Sequence, residues 1–528
     1  MASSGNLILV LHAHLPYIKH PRNPNHIEQR WFFEAVADSY LPLIDTLYKL
    51  HEKGTEYHIT VSLSPTLCVM LNDDELKNGC ELYLNNLIEF AGYECFRNRQ
   101  RPGILRLSKR YVKKSKELLG LYTDKYRRDL ISPLKQLRDE GRVTLITSAA
   151  THAFLPLLDD YPQALHAQIT GGINIFSGIT GIRPDGFWLP ECGYSPEVER
   201  ALDISGVSYT AVESHGLIFS RPFPHAGIYR PVVGSSGVML FGRDSEVSRL
   251  VWSAESGYPA DAEYRDFYED AVSELSDEEV KRFINPDGFR VPSGIRYRKI
   301  TGKEKKEIYE PRKAALKLNV HAMHFIKEVR EIMVRARQVL GVAPVVTAAF
   351  DAELFGHWWY EGCGWLERVL AGISGNNQFT MGKCNHFVDS RDKFEQVIPE
   401  SSSWGYGGYS QTWINPRNDW IIRYIHNATG MFIKLAEKHM NVRNRKVAEA
   451  MNVAAREILM LQTSDWGFML NTNVSADYVK NRFLNHYERA MNIIKMIESG
   501  MIEEAFLKEI ISQDGEFTET DFRWFCGD

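Results

Sequence analysis

The sequence lacks the features that would tie the chain to a membrane or to an oxidising compartment. Its seven cysteines are scattered, odd in number and without CxxC spacing, which argues against both a disulfide framework and a structural zinc site. No apolar run approaches the ~20 residues that span a bilayer, and the segment before His12 has no basic region of a signal peptide. We therefore expect a cytoplasmic protein with no membrane partner.

The sequence also lacks an excess of charge. With 62 basic and 67 acidic residues its formal net charge is -5, so electrostatics do not favour nucleic acid as a partner. Internal repeats, low-complexity tracts and a GxGxxG loop between a strand and a helix are absent as well. The remaining composition is globular, 44% apolar and 24% charged, and 528 residues suffice for several structural units or one large barrel with insertions.

Short β-rich apolar runs, each followed at once by polar groups, recur along the first two thirds of the chain. They cover residues 7–11, 58–63, 143–147, 186–190, 209–212, 237–241 and 345–350. Continuous apolar runs are typical of strands buried on both faces, hence of a parallel sheet with helical crossovers. Polar side chains at the carboxyl ends of parallel strands indicate the catalytic face of a barrel or of a doubly wound sheet.

Two connections between these runs are too long for one crossover helix and predict insertions. They cover about residues 65–140 and 245–342. The second contains a capping-box pattern at Ser276 and Glu279 and a helical run that ends at Gly341. After residue 414 the pattern turns helical. We predict a catalytic barrel over residues 1–414 and a C-terminal helical domain over residues 415–528.

The motif HAHLPY places His12 and His14 two residues apart at a predicted strand end, so both side chains point the same way if the strand continues. Together with His152, these imidazoles are candidates for metal ligands or for hydrogen bonds to a polar ligand. A structural role is the third alternative. Metal-dependent amidohydrolases also begin with HxH after the first strand of a barrel, so a hydrolase of that kind using His12 and His14 is one hypothesis.

Two motifs place carboxylates at strand ends. WLPECGY carries Glu191, for which a turn cap is the structural alternative, and FDAELFGHWW carries Asp351 and Glu353. Only one of the latter two needs to be catalytic, and Asp351 is the better candidate because it directly follows the strand. An apolar wall would raise a carboxyl pKa and keep that group protonated as a general acid. The motif supplies three aromatic residues for such a wall: Phe350, Trp358 and Trp359.

Further aromatic residues lie in the segment WGYGGYSQTWINPRNDW, which its glycines and its proline predict to be a loop. The segment contains Trp404, Tyr406, Tyr409, Trp413 and Trp420, and the later motif QTSDWGFM adds Asp465 and Trp466. Loop aromatics suit the apolar C–H faces of sugar rings. Aromatic platforms with two carboxylates are what glycosidic-bond cleavage requires, one carboxyl to protonate the leaving oxygen and one to attack or to activate water.

The motifs together resemble glycoside hydrolase family 57, and within it the subgroup of 1,4-α-glucan branching enzymes and related α-amylases. HAHLPY, TSAATHAFLP, WLPECGY, FDAELFGHWW, WGYGGYSQTW and LQTSDW follow one another in the expected order over almost the whole length. The resemblance implies an α/β fold, a distorted (β/α)7 barrel with helical insertions and a C-terminal helical domain. It implies an α-glucan polysaccharide or maltooligosaccharide as ligand, and neither a metal nor a cofactor.

The resemblance also implies roles for individual residues. Glu191 matches the nucleophile and Asp351 the general acid/base of a retaining double displacement, in which the two carboxyl groups stand ~5–5.5 Å apart. The positions that match substrate-contacting residues are His12, His14, His152, Trp404, Trp413, Asp465 and Trp466.

Hydrolysis and branching share a glycosyl-enzyme intermediate and differ in whether water or a glucan 6-hydroxyl resolves it, so the exclusion of water on the acceptor side decides between them. Branching members are expected to carry an aromatic residue just before a Gly-[Val/Ile]-Tyr-x-Pro segment. In PHAGIYRP that position is Ala226. We therefore expect α-amylase-type hydrolysis of α-1,4-glucans, with branching as the alternative. A non-catalytic carbohydrate-binding protein is a further class to test.

Overall fold

The computed structural model describes residues 5–19, 27–253, 255–302, 306–375, 379–514, 517 and 520–527. The remaining positions, on which parts of the sequence predictions fall, lie outside the described residues. They are 1–4, 20–26 and 376–378 of the predicted barrel, 254 and 303–305 of its second insertion, and 515–516, 518–519 and 528 of the predicted helical domain.

In the described part of the chain, eight strands form one sheet. They are β1 (Asn6–Ala13), β2 (Ile59–Leu63), β3 (Val143–Ile146), β4 (Tyr209–Glu213), β5 (Val232–Val233), β6 (Met239–Arg243), β7 (Val345–Asp351) and β8 (Thr380–Met381). The order of the main path is β3-β2-β1-β7-β6-β4, and all its neighbours are parallel. The two-residue strands were not predicted; β5 pairs antiparallel with β6, and β8 pairs with β1.

The two ends of this path meet across the fourth predicted strand segment. Thr147 forms a parallel bridge with Phe187, and Gly186 forms one with Tyr209. The Phe187 N–H donates to the Tyr209 carbonyl at 3.0 Å, and the Trp188 N–H donates to the Thr147 carbonyl at 2.8 Å. The segment thus closes the sheet into a seven-membered ring. It forms bridges and not a full strand because flanking prolines supply no N–H for a longer ladder.

Alternate residues of the strands fill the interior of the ring. A buried apolar cluster there, distinct from the main core, includes Ile8, Val10, Ile146, Tyr209, Ala211, Met239, Phe241, Val345 and Ala349. The next position in the same alternation is polar on five strands: Ser62, His12, Asp351, Arg243 and Glu213. The ring is therefore apolar in its depth and polar at its carboxyl-terminal mouth.

Helices surround the sheet and form most of the remaining chain. Those before β4 are α1 (Gln29–Ala35), α2 (Leu41–Glu52), α3 (Pro65–Asn72), α4 (Asp74–Arg97), α5 (Pro102–Gly120), α6 (Ile131–Asp139), α7 (Pro162–Thr180) and α8 (Pro196–Ile204). Those between β4 and β8 are α9 (Ser214–Ile218), α10 (Ser245–Trp252), α11 (Asp277–Phe283), α12 (Pro311–Leu340) and α13 (Gly362–Ser374). Those after β8 are α14 (Asn385–Val388), α15 (Trp420–His439), α16 (Arg445–Leu461), α17 (Ser464–Thr472), α18 (Ala476–Ser499) and α19 (Glu504–Asp514).

The long connections contain the expected helices. The first holds α3 to α6, and the second holds α10 to α12. The capping box of Ser276 and Glu279 starts α11, and Gly341 ends α12 with a φ of 69°. These features confirm the predicted fold class, a distorted (β/α)7 barrel with helical insertions and C-terminal helices. Among the described residues, no helix combines the length and the apolar character needed to cross a membrane.

Candidate active site

The polar mouth of the ring is set by strand register. In the parallel pairing, His12 lies opposite Ser62 on one side and Asp351 on the other, and Glu213 lies opposite Arg243. Parallel strands bring their carboxyl ends to one rim, so residues from distant parts of the sequence share one layer.

The three predicted histidines form one stacked group. The rings of His14 and His152 have centroids 3.6 Å apart, and His12 lies 5.8 Å from His14 and 5.0 Å from His152. The planes of His12 and His14 differ by 15°, as expected for side chains on the same side of a strand. His152 comes from a tight loop in which its own φ is 58°, a strained value for a residue other than glycine.

Serine hydroxyls hold these rings from one side. The pairs between Nδ1 and the serine Oγ are His12 with Ser62 at 3.1 Å, His14 with Ser64 at 3.0 Å, and His152 with Ser464 at 3.0 Å. Burial, with the neighbouring charge of His14, lowers the pKa of His12 and His152 well below the usual value. Both are therefore neutral near pH 7 and can exchange hydrogen bonds with a polar ligand.

The remaining ring nitrogens also have partners. Nε2 of His12 lies 2.9 Å from Nε2 of His152, and Nε2 of His14 lies 3.1 Å from Oδ2 of Asp465. Candidate metal-ligand atoms of His14, His152 and Asp465 lie within 4.8 Å of one another. This set contains His14 but not His12, so it differs from the pair His12 and His14 of the amidohydrolase hypothesis. Every ring nitrogen of the three histidines has a protein partner in this structure, and their role toward a ligand stays a prediction.

Glu191 sits on a strained turn that follows the fourth ring segment. Its φ is 59° and that of Cys192 is 53°, both in the left-handed region. The Trp404 indole N–H donates to Oε2 of Glu191 at 2.8 Å, and the Trp404 backbone N–H donates to the Glu191 carbonyl at 3.1 Å. Burial raises the pKa of Glu191 to about 7, while the Trp404 hydrogen bond opposes the rise and the charge of Asp465 adds to it.

Asp351 ends β7 in a different electrostatic environment. Burial raises its pKa well above the usual value, the charges of Glu353 and Glu191 add to the rise, and the charge of Arg243 opposes it. Its neighbour Glu353 is held apart: Oε1 accepts the His14 backbone N–H at 3.1 Å and the Tyr40 hydroxyl. Asp351 is thus suited to hold a proton, while Glu191 ionises near pH 7.

Arg243 connects the layer to the aromatic residues. It donates to Oε1 of Glu213 at 2.5 Å and to the Ala349 carbonyl at 3.1 Å, and its guanidinium lies 5.3 Å from the centre of the Trp404 ring. Trp404 also lies 5.0 Å from Trp188. The indole that bonds Glu191 is therefore fixed between a buried cation and a second indole.

The predicted binding tryptophans differ in their surroundings. Trp404 lies at the mouth and stacks at 6.4 Å with Trp252, which is 50% exposed. Trp413 is 2% exposed and stacks on Phe154 at 4.1 Å. Trp466 is also 2% exposed, and its N–H donates to a backbone carbonyl of α16 at 2.9 Å. Trp413 and Trp466 are therefore packed in the protein interior next to the site and are not part of its open surface.

The predicted aromatic wall needs a correction. Phe350 is buried, but it alternates with Asp351 along β7 and packs in the main core outside the ring. Trp359 is buried in the same core, and Trp358 is 55% exposed. The chain turns at Gly356, where φ is 116°, and of the two tryptophans that follow only Trp359 packs into the core, 5.6 Å from Trp365. Trp358 therefore cannot supply a dry wall for Asp351.

Several site residues were not predicted. Ser62 and Ser64 repeat, on the neighbouring strand, the two-residue spacing of the histidines, and this pattern was a usable signal. Arg243 follows a predicted strand in the same way. By contrast, Ser464 and Trp252 carry no local signal, since their roles arise from contacts with residues distant in sequence.

Two carboxyl groups of raised pKa beside imidazole and indole rings suit the cleavage of a glycosidic bond. Comparison with known proteins identifies the family of enzymes to which the chain belongs. The family model described as "Glycosyl hydrolase family 57" matches residues 8–340, and the chain belongs to this family. A second model, "1,4-alpha-glucan branching enzyme, C-terminal", matches residues 424–525.

Related proteins include both amylase and branching enzymes. The crystal structure of the α-amylase AmyC from Thermotoga maritima is 34% identical, with a TM-score of 0.92 and 99% of each chain covered. That of a branching enzyme from Pyrococcus horikoshii is 31% identical, with a TM-score of 0.88 over 99% of this chain and 97% of the other. A 1,4-alpha-glucan branching enzyme of Thermococcus kodakarensis is 30% identical over 97% of this chain and 77% of its own length.

Proposed function

We propose that the protein cleaves α-1,4-glucans with retention of configuration, with Glu191 as nucleophile and Asp351 as general acid/base. The observation that carries the proposal is the contrast between the two carboxyl groups: Glu191 accepts an indole N–H and titrates near pH 7, and Asp351 has a pKa raised well above its usual value. Their charges interact, which supports their placement in one site.

The chemistry then runs in two displacements. A Glu191 oxygen attacks the anomeric carbon while Asp351 gives its proton to the glycosidic oxygen, which leaves. In the second step Asp351, now ionised, takes a proton from the attacking hydroxyl, the new C–O bond forms, and Glu191 leaves as a carboxylate. The residues proposed to hold sugar hydroxyls and faces around this bond are His12, His14, His152, Trp404 and Asp465. Trp413 and Trp466, which were also predicted to contact substrate, are 2% exposed and are proposed to support these residues.

We propose water as the main acceptor, which gives α-amylase-type hydrolysis. Ala226 supports this choice because it is a small side chain, 8% exposed, where an aromatic residue is expected in branching members. Branching is the second candidate, favoured by the match of residues 424–525 to the branching-enzyme C-terminal model. A cytoplasmic location is supported by seven free cysteines.

Proton NMR of amylose after incubation with the purified protein tests this choice. New reducing ends without α-1,6 signals are expected. Accumulating α-1,6 linkages would assign branching and refute the argument from Ala226. Intact amylose that is nevertheless bound would indicate a non-catalytic binding protein, and stoichiometric metal with loss of activity in chelator would indicate a metal-dependent hydrolase.

Substitution of the two carboxyl groups tests the mechanism. Glu191→Gln and Asp351→Asn are each expected to lower kcat by at least about a thousandfold, while maltooligosaccharide affinity and the melting temperature persist. Glu197→Gln is the matched control, because Glu197 is exposed six positions further along the chain. Near-normal turnover in either catalytic variant would refute the assignment.

A further inference from the structure

An exposed group of aromatic rings lies beyond the catalytic carboxyl groups. Tyr268 is 86% exposed and Trp358 is 55% exposed. Phe267 joins them, with its ring centre 4.8 Å from that of Trp358 and 5.3 Å from that of Tyr268. We call Phe267, Tyr268 and Trp358 the outer platform. Contiguous exposed aromatics are unfavourable in water unless a ligand uses them.

The outer platform is held from below by buried polar groups. The Arg296 guanidinium lies 4.6 Å from the Phe267 ring centre and is itself only 3% exposed. Asp270 lies 3.6 Å from Arg296. On the other side, the Trp358 backbone N–H donates to the Glu353 carbonyl at 3.2 Å. The Phe267 ring and the Trp358 backbone are thus held in place, which lowers the entropy cost of binding a ligand.

The position of the outer platform ties it to the catalytic mouth. Trp358 belongs to the loop that follows β7, the strand that ends at Asp351. Its backbone is bonded to Glu353, whose carboxylate accepts the His14 N–H at 3.1 Å. Phe267 and Tyr268 come from the long connection between β6 and β7. Two separate parts of the chain therefore bring aromatic rings to one place beside the site.

Polar groups border the rings at the same place. His357 lies 5.2 Å from the Trp358 ring, and its Nδ1 faces Asp38 at 3.3 Å. Glu269 follows Tyr268 and is exposed. Flat apolar faces next to hydroxyl-bonding groups match a sugar ring, whose C–H face stacks on an aromatic while its hydroxyls reach polar partners.

We propose that the outer platform is an additional binding site for α-glucan chains, which contacts glucose units remote from the bond that is cleaved. The inference rests on the proposed function, because a polymeric substrate must continue beyond the two carboxyl groups. A glucan chain bound at the two carboxyl groups also contacts the outer platform only if it is long enough to reach both. A short oligosaccharide bound at the carboxyl groups gains nothing from it.

The test compares long and short substrates in four variants. Trp358→Ala and Tyr268→Ala are each expected to raise KM for amylose about tenfold, as lost stacking of one ring implies, and to leave kcat and the kinetics on maltotetraose unchanged. Phe96→Ala is the matched control, since Phe96 is 63% exposed on α4. Tyr268 is so exposed that its loss cannot unfold the protein, and Trp358→Phe is expected to restore most of the affinity.

Affinity electrophoresis in amylose-containing gels separates this proposal from the proposed function. If the wild-type protein cleaves amylose and the platform variants are retarded as strongly as Phe96→Ala, the outer platform is refuted and the catalytic assignment stands. If no α-glucan is cleaved but Trp358→Ala and Tyr268→Ala lose retardation while Phe96→Ala keeps it, the platform stands and the catalytic assignment fails. A lower solution mass of the platform variants, with unchanged retardation, would assign the rings to a contact between copies of the chain and overturn the proposal.

Discussion

Glu191 and Asp351 differ in what stabilises their ionised forms. The Trp404 indole donates directly to Glu191, so the negative form of Glu191 is favoured by a short hydrogen bond. The neighbouring carboxylate Glu353 is the largest charge that opposes ionisation of Asp351. Activity requires Glu191 ionised and Asp351 protonated. It is therefore expected to fall as pH drops below about 7, where Glu191 gains a proton, and to fall again at higher pH, where Asp351 loses one.

Trp404→Phe tests the hydrogen bond from the Trp404 indole to Glu191. Without the indole N–H the ionised form of Glu191 loses stabilisation, so the pKa of Glu191 rises further. The acid limb of the kcat/KM profile is expected to move to higher pH by roughly one unit, while the alkaline limb stays in place. Trp252→Phe is the control, since Trp252 stacks on Trp404 without bonding Glu191. An unmoved acid limb would contradict the role of Glu191 as the group that must ionise.

Residues whose role follows from the local sequence were predictable, and residues whose role depends on contacts with distant parts of the chain were not. Asp351 and His12 were predictable because each follows an apolar run, and strand ends share one rim in a parallel barrel. The bond from Trp404 to Glu191 was not, since nothing local joins residues so far apart in sequence. The exposure of Trp358 was also missed, because it depends on the backbone turn at Gly356.

At the scale of elements, the loop after β7 is locked to the segment between α1 and α2. This segment, Val36–Tyr40, has a π-helical turn, a form often found at functional sites. It places the Tyr40 hydroxyl on Glu353 and the Ser39 hydroxyl 3.2 Å from the Glu353 carbonyl. Six of the seven predicted strands form as strands, and the prolines around the fourth explain the exception.

Gly356→Ala tests this contact between elements. A Cβ at this position would lie 1.9 Å from the Asp38 carbonyl oxygen, and the φ of 116° is itself unfavourable for alanine. We expect a loss of roughly 2–4 kcal/mol in the free energy of unfolding, together with reduced activity, since the loop directly follows Asp351 at the end of β7. Thermal melting and amylose cleavage measure both effects.

Gly92→Ala is the matched control for that variant. Gly92 lies within α4, and no atom lies within 4 Å of a Cβ built there. Alanine is expected to stabilise this helix by roughly 0.5–1 kcal/mol. Equal melting temperatures for Gly356→Ala and Gly92→Ala would show that the close approach of Gly356 to Asp38 does not constrain the loop after β7.

At the scale of the whole molecule, the barrel and the C-terminal helices build one site. Ser464 and Asp465, at the start of α17, bond His152 and His14 of the barrel. The Ser464 N–H also donates to the His152 carbonyl at 3.0 Å. The boundary between residues 414 and 415 stays a prediction. Since the two parts share catalytic surroundings, we expect them to unfold as one cooperative unit.

Trp524→Ala tests this coupling far from the carboxyl groups. Trp524 packs on α7, where a Cβ at Gly171 would lie 2.8 Å from its ring, and its carbonyl faces Nδ1 of His166 at 3.0 Å. Loss of the ring is expected to lower the single melting transition by a few degrees and kcat/KM severalfold, because the C-terminal helices then hold Asp465 less firmly. Arg523→Ala, an exposed neighbour, is expected to change neither. Two separate melting transitions in the wild-type protein would instead mean that barrel and helices are independent units.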